Sequence, residues 1–424
     1  MRILIATVGS FGDLHPYLAI ALEARDRGHE VTLATHAYYR AKVESEGLRF
    51  VAIPPNLEGF ETDEAARRRA MHPLDGTRYV IQEIFLPPLA EAYQILLAEA
   101  AFADVVLGST FALGAPLAAL KLGKPWLTSY LQPAALFSIH DPPQVPAMPI
   151  LPWLRRFGTK PVAIMKDVAN RGNRYFLKPL YALAAREGIA ESAIPDLFGG
   201  ASPHGNLILF SHHFQAPQPD FPAPFVQCGF PFYDKLDGAQ SGLSDALKTF
   251  LAEGPAPVLF TLGTSAVMDP GRFYENAVEA CGALGLRAIL LVSRLHIERL
   301  AALNSAKVKV VDYAPHSLLM PRARATVHQG GIGTTAQALR SGKPMVVVPF
   351  SHDQPDNAMR VERLGVGLQL SKGKLNARNL RDTLARLGEG DFASRAAALG
   401  QAIRAENGAL TAVLALEALH AQTK

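Results

Sequence analysis

The chain of 424 residues is 49% hydrophobic and carries a formal net charge of +4. Its length predicts about two domains, because single hydrophobic cores seldom grow beyond roughly 250–300 residues. The charge is mild, and no stripe combines Lys and Arg with aromatic residues as in a nucleic-acid binder.

Cysteine content and hydropathy indicate the compartment in which the protein works. Cys228 and Cys281 lie far apart without metal-ligand spacing, so we expect two unpaired, buried thiols in a reducing compartment. No apolar run approaches the roughly 18–20 residues that span a bilayer, and the N-terminus does not read as a secretory signal. We therefore expect a cytoplasmic protein.

The first part of the chain has the spacing of a strand–helix–strand unit. Arg2–Val8 is an apolar run, Leu18–Arg27 has helical periodicity, and strands are predicted at Glu30–Thr35 and Leu48–Ile53. This order indicates a parallel sheet. The first turn reads G-x-x-G and the second strand ends in His36 without an acidic residue, which disfavours a dinucleotide site.

The same unit continues to a proline-rich segment. Asp104–Ser109, Pro125–Leu131 and Asn206–Ser211 are predicted strands. Repeated prolines from His140 to Pro152 forbid regular structure, and Ala216–Lys235 has the composition of a linker.

Between these segments, Leu154–Leu180 combines apolar residues with seven basic residues and one acid, Asp167. Two interpretations remain open. The segment is a solvated helical face, or it is a basic amphipathic surface that contacts a membrane or steers an amphiphilic acceptor.

The alternating pattern then restarts. Predicted strands cover Val258–Leu262, Arg287–Val292 and Lys307–Val311, with a helix from about Arg272 to Leu284. Three helical segments end the chain, at residues 379–387, 393–405 and 410–422. We infer two similar α/β folds.

The stretch Val311–Ala358 is the most informative part of the chain. It predicts a strand at Ala325–Val327, the glycine-rich turn HQGGIGTT, a helix at Thr334–Arg340 and a strand at Met345–Pro349. Glycines let the backbone take positive φ and approach a ligand, and a helix N-terminus attracts anions. By itself the turn could equally serve tight packing.

The whole stretch, HQGGIGTTAQAL…G.P…P…HDQ.DNA, resembles the nucleotide-sugar signature of family 1 glycosyltransferases, and most closely their bacterial rhamnolipid and sterol branch. The resemblance implies the GT-B arrangement, two facing Rossmann-like domains with a cleft between them. It implies an acceptor domain at residues 1–233, a donor domain at 234–408, and a last helix at 409–424 that packs back on the first domain. It also implies inversion of configuration without a metal ion or other cofactor.

The same resemblance assigns donor-binding roles to individual residues. It implies base or ribose contacts for Tyr313, His316 and Gln337, and sugar contacts for Asp353 and Gln354. Gly12 is assigned to the donor without a specified group. The residues implied in diphosphate binding are Thr264, Ser265, His328, Gly330, Gly331, Gly333, Thr334 and Thr335.

The turn GSFGDLHP places Asp13 where bacterial members of the family have their proposed base. His15 titrates nearer neutrality but lies two residues late for the motif. The alternative role for Asp13 is an N-cap on the following helix. Burial would raise its pKa and the helix dipole would lower it, so the sequence leaves its basicity open.

The resulting prediction is a glycosyltransferase that uses a UDP- or dTDP-sugar and a hydroxylated hydrophobic acceptor, either a small molecule or a lipid. No nucleic-acid partner is expected, and peripheral membrane contact is a weaker expectation. Two other classes remain: a nucleotide-sugar epimerase or hydrolase on the same fold, and a non-catalytic homologue that binds nucleotide sugar.

Overall fold

The computed structural model describes residues 1–56, 63–234, 242–263 and 270–423. The chain divides into two compact units, residues 1–233 together with 406–424, and residues 234–405. Each unit contains one parallel β-sheet, which confirms the predicted α/β class.

Unit 1 contains a seven-stranded sheet in the order β3-β2-β1-β4-β5-β6-β7. The central strands are almost fully buried, as expected of parallel strands with both faces covered. The strands are β1 (Arg2–Ala6), β2 (Glu30–Thr35), β3 (Arg49–Ala52), β4 (Val105–Ser109), β5 (Trp126–Tyr130), β6 (Asn206–Ile208) and β7 (Phe225–Gln227).

The helices of unit 1 connect these strands, and those at residues 89–102, 114–122 and 178–186 pack with the sheet in one large apolar cluster. They are α1 (Phe11–Asp26), α2 (Arg40–Ser45), α3 (Glu64–Ala70), α4 (Gly76–Tyr79), α5 (Leu89–Phe102), α6 (Gly114–Leu122), α7 (Pro133–Leu136), α8 (Leu151–Leu154), α9 (Thr159–Phe176) and α10 (Lys178–Arg186). A π-helical segment, Val80–Phe85, follows α4.

Unit 2 contains a six-stranded sheet in the order β10-β9-β8-β11-β12-β13. The strands are β8 (Val258–Thr261), β9 (Ala288–Leu291), β10 (Val308–Val311), β11 (Ala325–His328), β12 (Met345–Val347) and β13 (Gly367–Gln369). The helices are α11 (Asp245–Ala252), α12 (Phe273–Ala283), α13 (Ile297–Ala301), α14 (His316–Leu319), α15 (Ile332–Ser341), α16 (Gln354–Arg363), α17 (Ala377–Glu389) and α18 (Phe392–Arg404).

The structure differs from the local predictions at four places. The predicted linker Ala216–Lys235 contributes the edge strand β7, which pairs in parallel with β6. Helix α1 begins at Phe11 instead of Leu18, because Ser10 caps it and the helix continues through Pro16, its sixth residue. Helix α15 begins at Ile332, so its threonines lie inside the first turn. The proline-rich segment contains α8, with Pro152 near its start.

The last helix, α19 (Gly408–Gln422), belongs to unit 1 and packs against α1. Its inner face buries Ala412, Val413 and Leu416 completely. At its outer edge, the Glu417 carboxylate accepts hydrogen bonds from Arg27 at 2.9 Å and contacts His29 at 2.8 Å. These contacts lower the pKa of Glu417 to about 2, yet such a partly exposed pair contributes little stability. The apolar face therefore dominates the attachment.

We predict that Leu416→Ala lowers the free energy of unfolding by about 2–4 kcal/mol, because it removes a fully buried side chain and leaves a cavity. Leu414→Ala, on the exposed side of the same helix, is the matched control and should change stability by less than about 0.5 kcal/mol. Denaturant unfolding measures both. Equal losses in the two variants would contradict the packing role of this face.

Candidate functional site

Both sheets have a switch point, where the strand order reverses direction. In unit 1 it lies between β1 and β4, and in unit 2 between β8 and β11. Ligands of open α/β sheets bind outside the carboxyl ends of the strands at such points. The chain leaves β1 toward Asp13 and leaves β11 toward the glycine-rich turn, so both predicted sites begin at a switch point.

The turn after β1 holds Asp13 in a capping box at the start of α1. Ser10 is the N-cap, and its hydroxyl accepts a hydrogen bond from Gly12 N at 3.2 Å. The Asp13 carboxylate reaches back and accepts from Ser10 N at 2.8 Å and Ser10 Oγ at 3.0 Å, both on Oδ2. Asp13 is therefore not the N-cap that the alternative interpretation required, although it completes the cap. Gly12, predicted to contact the donor, uses its N–H in the same cap.

The protonation of Asp13 reflects two opposing effects. Burial raises the pKa of its carboxyl group above the ordinary value, and the hydrogen bonds from Ser10 lower it, with burial the larger effect. Desolvation penalises the charged carboxylate and so strengthens it as a proton acceptor. The raised pKa suits a group that must take a proton.

Residues outside the predicted set fix the shape of this turn. Gly9 has a φ of +131°, and a Cβ there would lie 2.4 Å from Asp13 Oδ2. His36, fully buried at the end of β2, accepts from Gly9 N through Nε2 at 2.9 Å, and burial lowers its pKa to about 4. The Tyr39 hydroxyl donates to Gly9 O at 3.0 Å. His15 is half-buried and its ring contacts the rings of Phe11 and Tyr233.

The turn after β11 is held by two side chains. Gly330 has a φ of +92°, and a Cβ there would lie 2.6 Å from Val347 Cγ1. Its N–H donates to His328 Nδ1 at 3.1 Å, and its carbonyl accepts from Asn357 Nδ2 at 2.8 Å. Burial, with the neighbouring His316, lowers the pKa of His328 to about 3, so its ring stays neutral and can accept this bond. His328 thus shapes the turn from within the core.

Helix α15 starts directly after this turn, and its N-terminus has no side-chain cap. Gly331 occupies the N-cap position, without a side chain that could accept from the first N–H groups, and no acidic residue lies in the first turn. The Thr335 hydroxyl donates back to Gly331 O at 3.0 Å, while Thr334 Oγ1 lies beside Gly263 at the end of β8. Gly333 is half-buried in the same turn. The helix dipole at this end is therefore compensated neither by a capping side chain nor by an acid in the first turn.

Asp353 and Gln354, the two polar residues after β12, make different contacts. Asp353 precedes α16, and its Oδ2 accepts from Asn357 Nδ2 at 2.7 Å. Gln354 is 2% exposed, and its Oε1 accepts from the backbone N–H groups of Phe350 and Ser351. Gln354, predicted to contact the donor sugar, thus commits its carbonyl oxygen to the loop that carries Asp353.

The remaining predicted donor residues differ in exposure. Tyr313 is exposed, and His316 is half-buried with its pKa lowered to about 4 by burial. Gln337 Oε1 accepts from Arg340, which itself pairs with Asp234. Thr264 and Ser265 lie outside the described residues.

Gln329 and Gly263 were not predicted from the sequence, although they frame the same turn. The side chain of Gln329 is buried between Gly263 and Gly331, since a Cβ on Gly263 would lie 2.1 Å from its Nε2. Its Oε1 accepts no hydrogen bond from any described residue. A buried acceptor without a partner is costly, so this oxygen is a candidate ligand contact. The sequence feature that could have identified Gln329 was its position inside the motif HQGGIGTT.

One group in the described part of the chain has metal-ligand geometry, His212, His213 and Glu406 of unit 1, whose ligand atoms lie within 4.8 Å of one another. His212 Nδ1 is 3.1 Å from Glu406 Oε1, which also accepts from Ser211. These contacts explain the cluster without a metal ion, because they hold Glu406, the first residue of the C-terminal part of unit 1, against His212 and Ser211. It shares no residue with the predicted donor or base positions.

Comparison with known proteins gives matches in both units. Residues 3–128 match the glycosyltransferase family 28 N-terminal domain, and residues 276–412 match the erythromycin biosynthesis protein CIII-like C-terminal domain. An O-mycaminosyltylonolide 6-deoxyallosyltransferase of Streptomyces fradiae is 31% identical, over 98% of this chain and 97% of that protein.

The chain belongs to the family 1 glycosyltransferases. A sterol 3-beta-glucosyltransferase of Arabidopsis thaliana is 27% identical over 98% of this chain and 65% of that protein. The structure of a spinosyn rhamnosyltransferase complexed with thymidine diphosphate matches with a TM-score of 0.69 at 21% identity, over 98% of this chain and 100% of that one. The predicted family, GT-B fold and glycosyltransferase class are confirmed.

The glycine turn of this family 1 glycosyltransferase should tolerate no side chain at Gly330. Gly330→Ala combines left-handed strain of about 1–2 kcal/mol with a collision against Val347, which adds about 1–3 kcal/mol. We predict a larger loss of unfolding free energy than for Gly285→Ala, and weakened nucleotide binding as well.

Gly285→Ala is the matched control, because Gly285 has a φ of +67° in the same unit but its Cβ would meet no atom within 4 Å. Chemical denaturation and nucleotide-induced thermal shift measure both variants. Similar stability and nucleotide binding in the two variants would show that the close approach at Gly330 is unimportant.

Proposed function

We propose that the protein transfers a sugar from a UDP- or dTDP-sugar to a hydroxyl group of a hydrophobic small molecule or lipid, with inversion and without a metal ion. The observation that carries the proposal is the uncapped N-terminus of α15, which follows a turn held open by Gly330 at the switch point of unit 2. Backbone N–H groups at such an end bind phosphate oxygens.

The donor half rests on unit 2. The diphosphate binds at Gly330, Gly331 and the first turn of α15, where the helix dipole stabilises its negative charge. Tyr313, exposed at the end of β10, offers a flat ring to a pyrimidine. Asp353 accepts hydrogen bonds from sugar hydroxyls and selects against sugars that lack them. The thymidine diphosphate in the related rhamnosyltransferase structure supports a pyrimidine nucleotide.

The acceptor class is supported by the relatives. The Streptomyces fradiae relative is named for a tylonolide acceptor, and the Arabidopsis relative for a sterol. Both names describe hydroxylated molecules with large apolar skeletons. A hydroxyl on such a skeleton is therefore the group that we expect this enzyme to glycosylate.

The reaction proceeds by direct displacement at the anomeric carbon. Asp13 removes the proton of the acceptor hydroxyl as its oxygen attacks. The bond to the nucleoside diphosphate breaks through an oxocarbenium-like transition state, and the diphosphate carries the leaving electrons. Ser10 holds Asp13 through Oδ2, which leaves Oδ1 to take the proton.

A panel of nucleotide sugars with the purified protein tests the proposal without knowledge of the acceptor. UDP- or dTDP-sugars should raise the unfolding temperature by mass action, and GDP-sugars should not. Donor consumption should begin only when an alcohol or lipid is added, and should persist in EDTA. Rapid conversion without an acceptor would favour an epimerase or hydrolase, and no stabilisation by any donor would refute the donor site.

We predict that Asp13→Asn reduces transfer by at least about a hundredfold, as expected for loss of a general base, while donor-induced stabilisation survives. The amide keeps the size of the carboxylate but cannot take the proton. Asp26→Asn, at the exposed end of the same helix, is the control and should transfer normally. Near-normal transfer by Asp13→Asn would exclude Asp13 as the base.

The pH profile provides an independent test of Asp13. Because the base must be ionised, transfer should fall as the pH drops through its raised pKa. Ser10→Ala removes the hydroxyl that stabilises the carboxylate, so this acidic limb should move to higher pH.

The same substitution also removes an N-cap and costs about 1 kcal/mol of stability. Ser244→Ala is the matched control, because Ser244 caps α11 in the same way but lies in unit 2. It should lose similar stability with an unchanged pH profile. An unshifted acidic limb in Ser10→Ala would mean that another group controls the profile.

A further inference from the structure

Six large apolar side chains are exposed to solvent within 26 residues of unit 1. We call this set the outer ridge, and its members are Ile150, Trp153, Phe157, Ile164, Val168 and Tyr175. Phe157 and Tyr175 are each 65% exposed, and Ile164 is 63% exposed. Isolated exposed apolar residues are normal, but a group along one stretch marks an interaction surface.

Half of the ridge lies on one face of α9. Ile164, Val168 and Tyr175 follow each other at intervals of four and seven residues, which places them on one face of that helix. Phe157 ends the short helical segment that precedes Gly158 and α9. Trp153 extends the ridge, and its ring contacts Phe157 at 4.8 Å between centroids.

The opposite face of α9 already supplies the contacts that hold the helix to unit 1. Val162 is fully buried there, and Met165 and Ala169 pack with it against Phe137 and Leu151. The outer ridge is therefore not needed for packing of this helix.

Positive charges predominate beside the ridge, where the exposed Asp167 is the one acid of residues 154–180. Arg156, Lys160, Arg171 and Lys178 are exposed, and Lys178 Nζ lies 4.0 Å from the centroid of the Tyr175 ring. Within the described ranges, no carboxylate forms an ion pair with Arg156, Lys160 or Arg171. Aromatic residues beside Lys and Arg are typical of segments that lie in a membrane interface.

We propose that the outer ridge docks the protein on the surface of an anionic lipid bilayer. Trp153, Phe157 and Tyr175 enter the interfacial region, the aliphatic side chains of Ile164 and Val168 follow, and the flanking cations contact lipid phosphates. No helix among the described residues is long and apolar enough to cross a membrane, so this contact is peripheral.

The charge pattern favours a bilayer over a second copy of the chain. Two ridges facing each other would bring two sets of like charges together, which opposes association. An anionic bilayer instead neutralises every one of these cations. The inference does not depend on the proposed donor or base, although a lipid acceptor would give the docking a direct use.

The tryptophan content allows a direct measurement on the full chain. The sequence has two tryptophans, Trp126, which is 1% exposed, and Trp153, which is 50% exposed. Vesicles of phosphatidylcholine with about 30% phosphatidylglycerol should shift the fluorescence of Trp153 to the blue and sediment the protein. Pure phosphatidylcholine vesicles should bind at least about tenfold more weakly, and salt should weaken binding to the anionic vesicles.

Two double variants separate the contribution of the cations to vesicle binding from that of the apolar side chains. Lys160→Gln with Arg171→Gln should weaken vesicle binding by about 25-fold, because each cation contributes roughly fivefold near an anionic surface. Phe157→Ser with Val168→Ser should weaken it at any salt concentration. Phe102→Ser, which removes a 69% exposed apolar residue elsewhere in unit 1, is the control and should bind normally. Trp153→Phe should keep binding but lose the blue shift.

Three outcomes would overturn the proposal. They are the absence of sedimentation with anionic vesicles, equal binding by the ridge variants and the native chain, and a blue shift of Trp153 on concentration-dependent self-association without lipid. Donor-induced stabilisation and transfer to a water-soluble acceptor are measured separately on each variant. Failure of docking is thereby distinguished from failure of the proposed function.

Discussion

In unit 2 of this glycosyltransferase, the turn after β11 depends on one backbone constraint, the left-handed conformation of Gly330 between β11 and α15. That conformation turns the chain sharply enough for a helix to start four residues after a buried histidine, and the space for a Cβ is filled by Val347. Two hydrogen bonds fix it, from Gly330 N to His328 and from Asn357 to Gly330 O. His328 must stay neutral to accept, and its burial ensures this because the charged ring would be poorly solvated.

Unit 1 repeats this arrangement of a glycine and a buried histidine in the turn after β1. Gly9 follows β1 with positive φ, a buried histidine accepts from its N–H, and the adjacent helix begins at once. In both units the histidine shapes the turn from inside, so neither His36 nor His328 is a suitable proton carrier. Their pKa values, about 4 and about 3, lie well below the pH at which a histidine base would work. The carboxyl group of Asp13 differs from both rings, because burial raises its pKa.

The sequence predicted the sheets well because parallel strands are continuous apolar runs bounded by glycines, as in Val258–Thr261 and Ala325–His328. It failed at β7, whose three residues are surrounded by prolines and pair only at the sheet edge. Composition also could not show which way a polar side chain points. Gln354 matches the family motif yet turns its carbonyl oxygen to the backbone, and Gln329, not selected, has a buried oxygen without a partner among the described residues. Direction depends on packing between distant strands, which local sequence does not encode.

The two helix N-termini differ in electrostatics although their backbones are alike. Helix α1 carries its own anion, because Asp13 completes a capping box with Ser10 and compensates the positive end of the helix. Helix α15 carries none, since Gly331 has no side chain and the first turn has no acid. A diphosphate brought to α1 would meet a carboxylate, whereas the first turn of α15 presents N–H groups and no acid. The two turns therefore suit opposite tasks, one for holding a base and the other for receiving the charge that the leaving group acquires.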